Sequence, residues 1–321
     1  MSVFDSIILG LIQGLTEFIP VSSSGHLIVA RDILGINFSN DLAFDAVLHL
    51  ATALAILVFF RKDIWNLIKT FLKYFKVNSP DVGRPENVGV LDKKYLNALI
   101  VGTIPAVLVG FFFEGFIENT LRDTTIVVIS LIAGSLLFLL AERAHSKHKK
   151  YTSSEFLHPG GVKTEEKNEF LDPLLTPRGL LTPRGCRHPR GVEDLPGGGV
   201  DEKRGFMVGL FQALALVPGV SRSGITISGG FFMGLSRLEA IRFTFLLGFP
   251  VILGSGLKKL FDLYQIGLTG DIGLNLLLGS VVAFLSGLWA IKWLIKYLSS
   301  HRLNAFVWYR IALAILVLIL L

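Results

Sequence analysis

The chain has 321 residues, of which 51% are hydrophobic and 17% are charged, and its mean hydropathy is +0.60. These values exclude an ordinary soluble domain, in which about a quarter of the residues are charged, and predict a polytopic membrane protein. The single cysteine excludes an intrachain disulfide framework. The net charge of +6 does not indicate nucleic-acid binding, because the basic residues fall in loops between apolar segments, where they anchor to anionic lipid headgroups.

Six stretches are apolar and close to the roughly 20 residues that a membrane-spanning helix needs. They are residues 43–60, 95–113, 125–141, 238–257, 273–295 and 305–321. Two further apolar regions, 3–35 and 206–235, are each interrupted by a polar turn that contains proline. Each piece is too short to span, and broken backbone at membrane depth occurs only where it is buried or lines a wet cavity. The predicted fold is therefore all-α, with six transmembrane helices and two re-entrant broken-helix hairpins.

The two broken regions are copies of one another, at a shift of 199 residues without a gap. The matched pairs are Gly10 with Gly209, Gln13 with Gln212, Ser22 with Ser221, Ser24 with Ser223, Gly25 with Gly224, Gly35 with Gly234 and Phe44 with Phe243. Three predicted spans, an odd number, separate the copies, so the second copy is inserted upside down. Inverted repeats with paired broken helices place a polar site near the midplane of the bilayer.

The repeat divides the chain into a first membrane half, 1–144, and a second membrane half, 204–321. Residues 145–203 between them are polar and rich in proline and glycine. Such a segment cannot bury enough apolar surface to fold, so we predict a disordered cytoplasmic insertion.

Lysine and arginine set the orientation. The predicted loops on one side, 61–94, 142–204 and 292–304, carry 23 of these residues, against four on the other side. An excess of positive charge marks the cytoplasmic side. Both termini and the mouth of the first hairpin then face outward from the plasma membrane.

The first hairpin carries a carboxylate in an otherwise apolar helix. Gln13 and Glu17 are four residues apart and share one helix face. Glu17 is a candidate metal ligand or general base, with a divalent cation such as Mg²⁺ or Ca²⁺ joining it to phosphate oxygens. The alternative is that Glu17 only pairs with an arginine or reaches the membrane surface.

The serine run that follows ends in a histidine. His26 is a candidate for proton transfer, because its pKa is ordinarily near neutrality, although it is also compatible with a capped helix start. Ser22, Ser23 and Ser24 are suited to cap a helix, and one of them is a candidate nucleophile activated by His26. The sequence leaves open whether serine, histidine or water attacks.

The second hairpin places an arginine among hydroxyls and glycines, in the stretch from Pro218 to Thr226. The planar guanidinium of Arg222 suits a phosphate, and an arginine at membrane depth indicates a functional site. A structural salt bridge to Glu17 is the alternative. The neighbouring hydroxyls are further candidate phosphate donors; they belong to Ser221, Ser223 and Thr226.

Two other sets of polar residues say less about the function. Asp45 and His49, again four apart, either support the site from behind or are polar residues at a helix end. The charged residues near 240 are expected to anchor the chain at the interface; they are Arg237, Glu239 and Arg242.

Three segments carry a resemblance to a known family. Gln13-xxx-Glu17, Pro20-Val-Ser-Ser-Ser-Gly-His26 and Pro218-Gly-Val-Ser-Arg-Ser-Gly-Ile-Thr226 resemble the signature segments of the undecaprenyl-pyrophosphate phosphatase family of the bacitracin-resistance type. The resemblance implies a membrane phosphatase that depends on a divalent metal and contains inverted repeats. Such an enzyme removes the terminal phosphate of a polyprenyl diphosphate, and so recycles the lipid carrier for cell-wall glycan synthesis.

By position, the family's acidic motif falls on Gln13 and Glu17, the metal-binding pair. Its serine–histidine motif falls on Ser23 and His26. Its arginine motif falls on Ser221, Arg222, Ser223 and Thr226. Many members have glutamate where this chain has Gln13, so Glu17 is left as the carboxylate ligand, and the long insertion is atypical.

Other functions fit parts of the pattern. A polyprenyl-phosphate transporter or flippase has the same inverted-repeat architecture, but it does not need Glu17, Ser23, His26 and Arg222 gathered at one point. An unrelated lipid-phosphatase class shares the Ser-Gly-His sequence, yet its further arginine, histidine and aspartate are not found after Arg222. A scaffold explains none of the buried polar residues. The expected partners are the polyprenyl diphosphate and membrane lipids, with assembly as a homodimer left open.

Overall fold

The computed structural model describes residues 2–36, 41–75, 93–121, 123–155, 199–266 and 270–320. Within these residues the chain forms eleven helices and no strand, which confirms the all-α prediction. The helices are α1 Val3–Phe18, α2 Ser23–Leu34, α3 Asp41–Phe59, α4 Arg61–Phe75, α5 Lys93–Thr120, α6 Thr124–Glu155, α7 Glu202–Leu214, α8 Arg222–Phe232, α9 Arg237–Ile266, α10 Gly270–Ser300 and α11 Asn304–Leu320. Helix α6 continues past the predicted boundary at 144, and residues 156–198 of the predicted insertion lie outside the described residues.

Four of the described helices are long and apolar enough to cross a membrane; their spans are Lys93–Ile117, Thr124–Lys147, Arg237–Phe261 and Gly273–Ser300. Each contains one of the predicted stretches. The stretch 43–60 coincides with α3, which forms a bent pair with α4 at an angle of 83° and makes a fifth span only if the pair is counted as one. The last predicted stretch lies in α11, which is apolar but has 17 residues. The described helices thus make a multi-pass membrane protein with four or five spans of sufficient length.

Helix α4 is the element that the sequence interpretation placed in a loop. Its apolar residues recur at helical spacing among lysines, so its average hydropathy is too low for a spanning segment. Ile64 is buried in the core, whereas Trp65 and Leu72 are exposed. Asp63 pairs with Arg242 of α9, which ties α4 to the second half of the chain.

The two hairpins break with the same backbone geometry. Ser22 precedes α2 with φ of 76°, and Ser221 precedes α8 with φ of 74°. Each serine hydroxyl caps its helix by accepting from the amide three residues on, Gly25 at 3.3 Å and Gly224 at 3.4 Å. A positive φ is unfavourable for a residue with a Cβ, so two such serines at matched positions show that the repeat extends to local backbone structure.

Small residues press the first arm of each hairpin against a long helix of the other half. Helix α1 packs on α10, and α7 packs on α5. A Cβ added at Gly10 would lie 2.3 Å from the carbonyl oxygen of Gly279, and one added at Gly209 would lie 2.1 Å from that of Gly102. Helices α3 and α9 pack against each other, as do α6 and α11. The first arm of each hairpin is therefore in direct backbone contact with a long helix of the bundle.

This close approach predicts the effect of a single methyl group. Gly10→Ala or Gly209→Ala should force two helices apart and lower the free energy of unfolding by about 1–3 kcal/mol. Thermal unfolding in detergent measures the change. Gly273→Ala is the matched control, because a Cβ there has nothing within 4 Å. Equal melting temperatures for all three variants would contradict the packing described here.

Candidate functional site

The tips of the two hairpins line one cavity of about 510 Å³, together with α3, α5 and α9. The tip residues that line it are Glu17, Ser22, Ser23, Ser24, Ala215, Leu216, Pro218, Ser221 and Arg222. Sequence positions about 200 residues apart thus meet at one polar point inside an otherwise apolar bundle.

Glu17 is the centre of the hydrogen-bond network in the cavity. Its Oε2 accepts from the Ser23 hydroxyl at 2.7 Å and from the Gln13 amide at 2.9 Å. Its Oε1 accepts from Arg222 Nη1 at 3.2 Å. The Glu17 side chain is 4% exposed, so the carboxylate depends on these partners instead of water. The structure brings together four predicted site residues, and it contains the Glu17–Arg222 salt bridge that was the structural alternative.

Arg222 is the first residue of α8 and remains partly open to the cavity, with 22% of its side chain exposed. Among the described residues its hydrogen bond to Glu17 uses Nη1 alone. A guanidinium has five N–H donors in a planar fork, so the others can bind an anion in the cavity.

The histidine that lines the cavity is His49, for which the sequence left two interpretations open, and not His26. His49 lines the cavity, and its Nε2 lies 3.3 Å from Glu17 Oε2. His26 is not among the lining residues. Its Nδ1 lies 2.7 Å from the Ser22 carbonyl oxygen and its Nε2 lies 2.7 Å from the Tyr309 hydroxyl. Because a carbonyl only accepts, Nδ1 donates, and Nε2 of the neutral ring accepts from Tyr309.

The remaining predicted hydroxyls fall into two groups. The hydroxyls of Ser22 and Ser24 lie 3.5 Å apart at the cavity wall. Ser223 is buried, with its hydroxyl 3.4 Å from that of Ser221. Thr226 is fully buried, and its Oγ1 has no hydrogen-bond partner among the described residues. A buried hydroxyl without a partner needs an explanation, such as a bound water or ion.

The other charged residues form ion pairs around the site. Asp45 lines the cavity and pairs with Arg31. Arg237, expected at the membrane interface, donates two hydrogen bonds to Glu142 of α6, at 2.8 and 2.6 Å. Lys258 and Lys259 line the cavity beside Glu114.

Sequence reasoning missed Tyr309 and Arg310, two consecutive residues of α11 that hold the two hairpins. Tyr309 contacts His26 in the first hairpin, with the rings stacked at 5.6 Å between centroids. Arg310 is fully buried and donates to the carbonyls of Gly219 and Val220 in the second hairpin, each at 3.0 Å. It also donates to the Ser130 and Leu131 carbonyls of α6. An arginine within an apolar helix is the signal that could have identified it.

The polar residues fit a divalent cation only in part. Gln13 Oε1 is buried and has no partner among the described residues, and it lies on the same helix face as Glu17. No group of three or more histidine, cysteine, aspartate or glutamate side chains suited to a metal occurs in the described part of the chain. A cation here would therefore use Glu17 and Gln13 together with phosphate or water oxygens, which is how Mg²⁺ is commonly held.

Comparison with known proteins agrees with the signature segments. The model of the family described as bacitracin resistance protein BacA matches residues 6–164 and 191–316. The chain belongs to this BacA family. The resemblance inferred from the three segments is thereby confirmed, and the family match omits residues 165–190, within the predicted insertion.

Similar proteins cover the chain from end to end. An undecaprenyl-diphosphatase of Thermobifida fusca is 34% identical over 320 residues, covering 100% of this chain and 90% of that protein. One of Myxococcus xanthus is 34% identical with the same coverage. Undecaprenyl-diphosphatase 1 of Corynebacterium jeikeium is 37% identical over 332 residues, covering 100% of this chain and 95% of the relative.

The contacts of Arg310 predict that lysine cannot replace it. Arg310→Lys keeps the charge but loses the fork that reaches both α6 and the second hairpin. We expect the free energy of unfolding to fall by about 3 kcal/mol, because several buried carbonyls lose their donor. Thermal unfolding checks this against Arg302→Lys, a control at an exposed position. A variant as stable as that control would show that these carbonyls do not depend on Arg310.

Proposed function

We propose that this protein hydrolyses undecaprenyl or a similar polyprenyl diphosphate to the monophosphate and inorganic phosphate. In this way it recycles the lipid carrier of cell-wall glycan synthesis and confers bacitracin resistance. The observation that carries the proposal is the cluster of Glu17, Ser23 and Arg222 in one cavity, with a hydroxyl and a guanidinium on the same carboxylate. The names of the relatives support the same activity.

The cavity supplies the charge that a diphosphate needs. Arg222 offers its remaining N–H groups, and α2 and α8 both begin at the cavity, so their first amides face the same space. Lys258 and Lys259 add positive charge along the wall. A divalent cation, Mg²⁺ or Ca²⁺, would be held by Glu17 with Gln13 and would neutralise phosphate oxygens. Ser22, Ser24 and Ser221 line the cavity and complete the proposed substrate site as hydroxyl donors, whereas Ser223 and Thr226 are buried behind its wall and do not line it.

Ser23 is the proposed nucleophile. Its oxygen attacks the terminal phosphorus while its proton passes to Glu17 Oε2, to which it is already hydrogen-bonded at 2.7 Å. The anhydride P–O bond breaks and the polyprenyl monophosphate leaves. Water then cleaves the Ser23–phosphate ester, releases inorganic phosphate and restores the hydroxyl. Arg222 stabilises the charge that develops on the phosphoryl oxygens.

In this mechanism His26 has a positioning role and does not transfer a proton. Both of its ring nitrogens are engaged, one with the Ser22 carbonyl and one with Tyr309. The ring fixes the turn that presents Ser23, and proton transfer falls to Glu17.

The proposed membrane arrangement has six transmembrane helices and two re-entrant hairpins related as inverted repeats. The reciprocal packing of α1 on α10 and of α7 on α5 supports it, as do the matching serines at the two breaks. The halves 1–144 and 204–321 then enclose a cavity that opens to the outer face of the plasma membrane, with membrane lipids around it. Assembly as a homodimer stays a prediction. A lipid transporter is less well supported, because transport gives no role to a serine held on a carboxylate.

The arrangement predicts which residues an impermeant reagent reaches. With Cys186→Ser as background, Ser2→Cys should react with a membrane-impermeant maleimide added to intact cells. Lys147→Cys should react only after the membrane is opened, since it lies on the side richer in lysine and arginine. Reaction of both residues from the outside would contradict the inverted arrangement.

The mechanism predicts that Glu17, Arg222 and Ser23 are each needed for turnover. Purified protein should release phosphate from undecaprenyl diphosphate, and Glu17→Gln, Arg222→Lys and Ser23→Ala should each lower kcat by about 10³-fold or more. Arg302→Lys and Ser299→Ala, both exposed, are the matched controls and should retain activity. Melting temperatures report whether each variant is folded. Near-normal turnover by folded Glu17→Gln would contradict the assignment.

Stereochemistry identifies the attacking atom in the same assay. With a chiral terminal thiophosphate, attack by Ser23 followed by water inverts phosphorus twice and retains its configuration. Inversion would show that water attacks directly, and would overturn the role given to Ser23 without affecting the activity itself.

A further inference from the structure

A second cavity, of about 530 Å³, lies between α4, α5 and α9. Its walls include Ile64 of α4, Leu99 and Ile104 of α5, and Leu246 and Phe249 of α9. We refer to it as the α4–α5–α9 groove. Thr103 is the one polar residue among the described residues that line it, and its hydroxyl already donates to the Leu99 carbonyl at 2.7 Å. The described side chains of the groove therefore offer hydrocarbon contacts and no free hydrogen-bonding group.

The groove begins where the polar cavity ends. Val107 and Pro250 line both spaces, so the two are neighbours across a shared wall. Both helices carry an internal proline at this level, Pro105 in α5 and Pro250 in α9. Proline has no backbone N–H, so α5 and α9 each lack one backbone hydrogen bond near the junction although both helices continue through it.

The groove and the polar cavity extend in opposite directions from this junction. Along α5 the groove is lined by residues 96–108 and the polar cavity by residues 106–117. Along α9 the groove is lined by residues 246–250 and the polar cavity by residues 250–259. The groove thus runs toward the Lys93 end of α5, which the charge distribution places at the cytoplasmic side.

We propose that the α4–α5–α9 groove binds the prenyl tail of the substrate while its diphosphate occupies the polar cavity. The inference rests on the proposed function. An amphiphile whose polar head must reach buried groups needs an apolar route for its tail that starts beside them. The shared wall at Val107 and Pro250 is such a route. The dispersion contacts between a tail and the groove walls add up with the length of the tail in the groove, so the groove favours long tails.

Substitutions that fill the groove test this length dependence. Val107→Trp and Ile104→Trp change residues that are 50% and 46% exposed, so the new ring enters the groove and does not overpack the core. Leu136→Trp on α6, at a position 57% exposed, is the control away from the groove. We compare kcat/KM for undecaprenyl diphosphate with that for isopentenyl diphosphate, whose short tail cannot extend along the groove.

The expected result is that the ratio of the two kcat/KM values falls about tenfold or more in each groove variant. The ratio should stay within about twofold of the parent in Leu136→Trp, since no tail lies there. An unchanged ratio in both groove variants overturns the proposal, while phosphate release by the parent protein keeps the proposed function intact. If the parent hydrolyses neither substrate, it is the proposed function that fails.

Chemical protection gives a second measurement that does not depend on turnover. In a Cys186→Ser background, Ile104→Cys is treated with maleimide in detergent. Undecaprenyl methylenediphosphonate, which cannot be hydrolysed at the bridging carbon, should slow labelling about tenfold, as expected if the tail covers Ile104 at most times. Methylenediphosphonate alone should not slow it, and Leu136→Cys should be unaffected by either compound. Equal protection by phosphatidylglycerol would show that the groove is a general lipid site, and no protection would show that the tail lies elsewhere; both results overturn the proposal.

Discussion

A helix broken at membrane depth leaves carbonyl groups that no water can satisfy, and the site depends on how this chain satisfies them. In the second hairpin the donor is Arg310, whose guanidinium reaches the Gly219 and Val220 carbonyls directly before the left-handed Ser221. That serine caps α8, whose first residue is Arg222. In the first hairpin the backbone amide and the ring of His26 both donate to the Ser22 carbonyl, and Tyr309 contacts the other ring nitrogen of His26. One turn of α11 therefore fixes both tips, and with them the distance between Glu17 and Arg222.

The polar interior is arranged as ion pairs that join different helices. Glu142 of α6 binds Arg237 of α9 and also accepts from the Leu303 amide, directly before α11, at 2.8 Å. Buried pairs of this kind gain little net stability over apolar packing, because both charges lose their hydration. Removing one partner is costly, so the pairs fix relative position more than they add stability. Helix α11, which carries Tyr309 and Arg310, is held in register at its start by Glu142.

The residues of the site differ in how well the sequence alone identifies them. Glu17, Ser23 and Arg222 stand out because polar residues within apolar helices are few, and the repeat showed that the two breaks belong together. The sequence does not show which way a histidine side chain points. His26, which follows the serines, is therefore the histidine that the sequence predicts for proton transfer, although His49 is the one that lines the cavity. Helix α4 was missed because the lysines on its polar face lower its average hydropathy below that of a spanning segment. Arg310 was overlooked inside a predicted span, since its partners at 131 and 220 become neighbours only in the fold.

The charges in the cavity also bear on why a cation is expected. Glu17 and Arg222 neutralise each other, and Gln13 completes the carboxylate by donating an amide hydrogen without adding charge. An arriving diphosphate brings several negative charges to a place where one guanidinium is already shared. Lys258 and Lys259 are the lining lysines among the described residues, and both lie beside Glu114. The residues of the cavity thus leave a charge deficit that a divalent cation on Glu17 and Gln13 would remove, since hard cations bind carboxylate, amide and phosphate oxygens together. Many family members have glutamate where this chain has Gln13. With glutamine there, one fewer carboxylate competes with the phosphates for the positive charge of the cation.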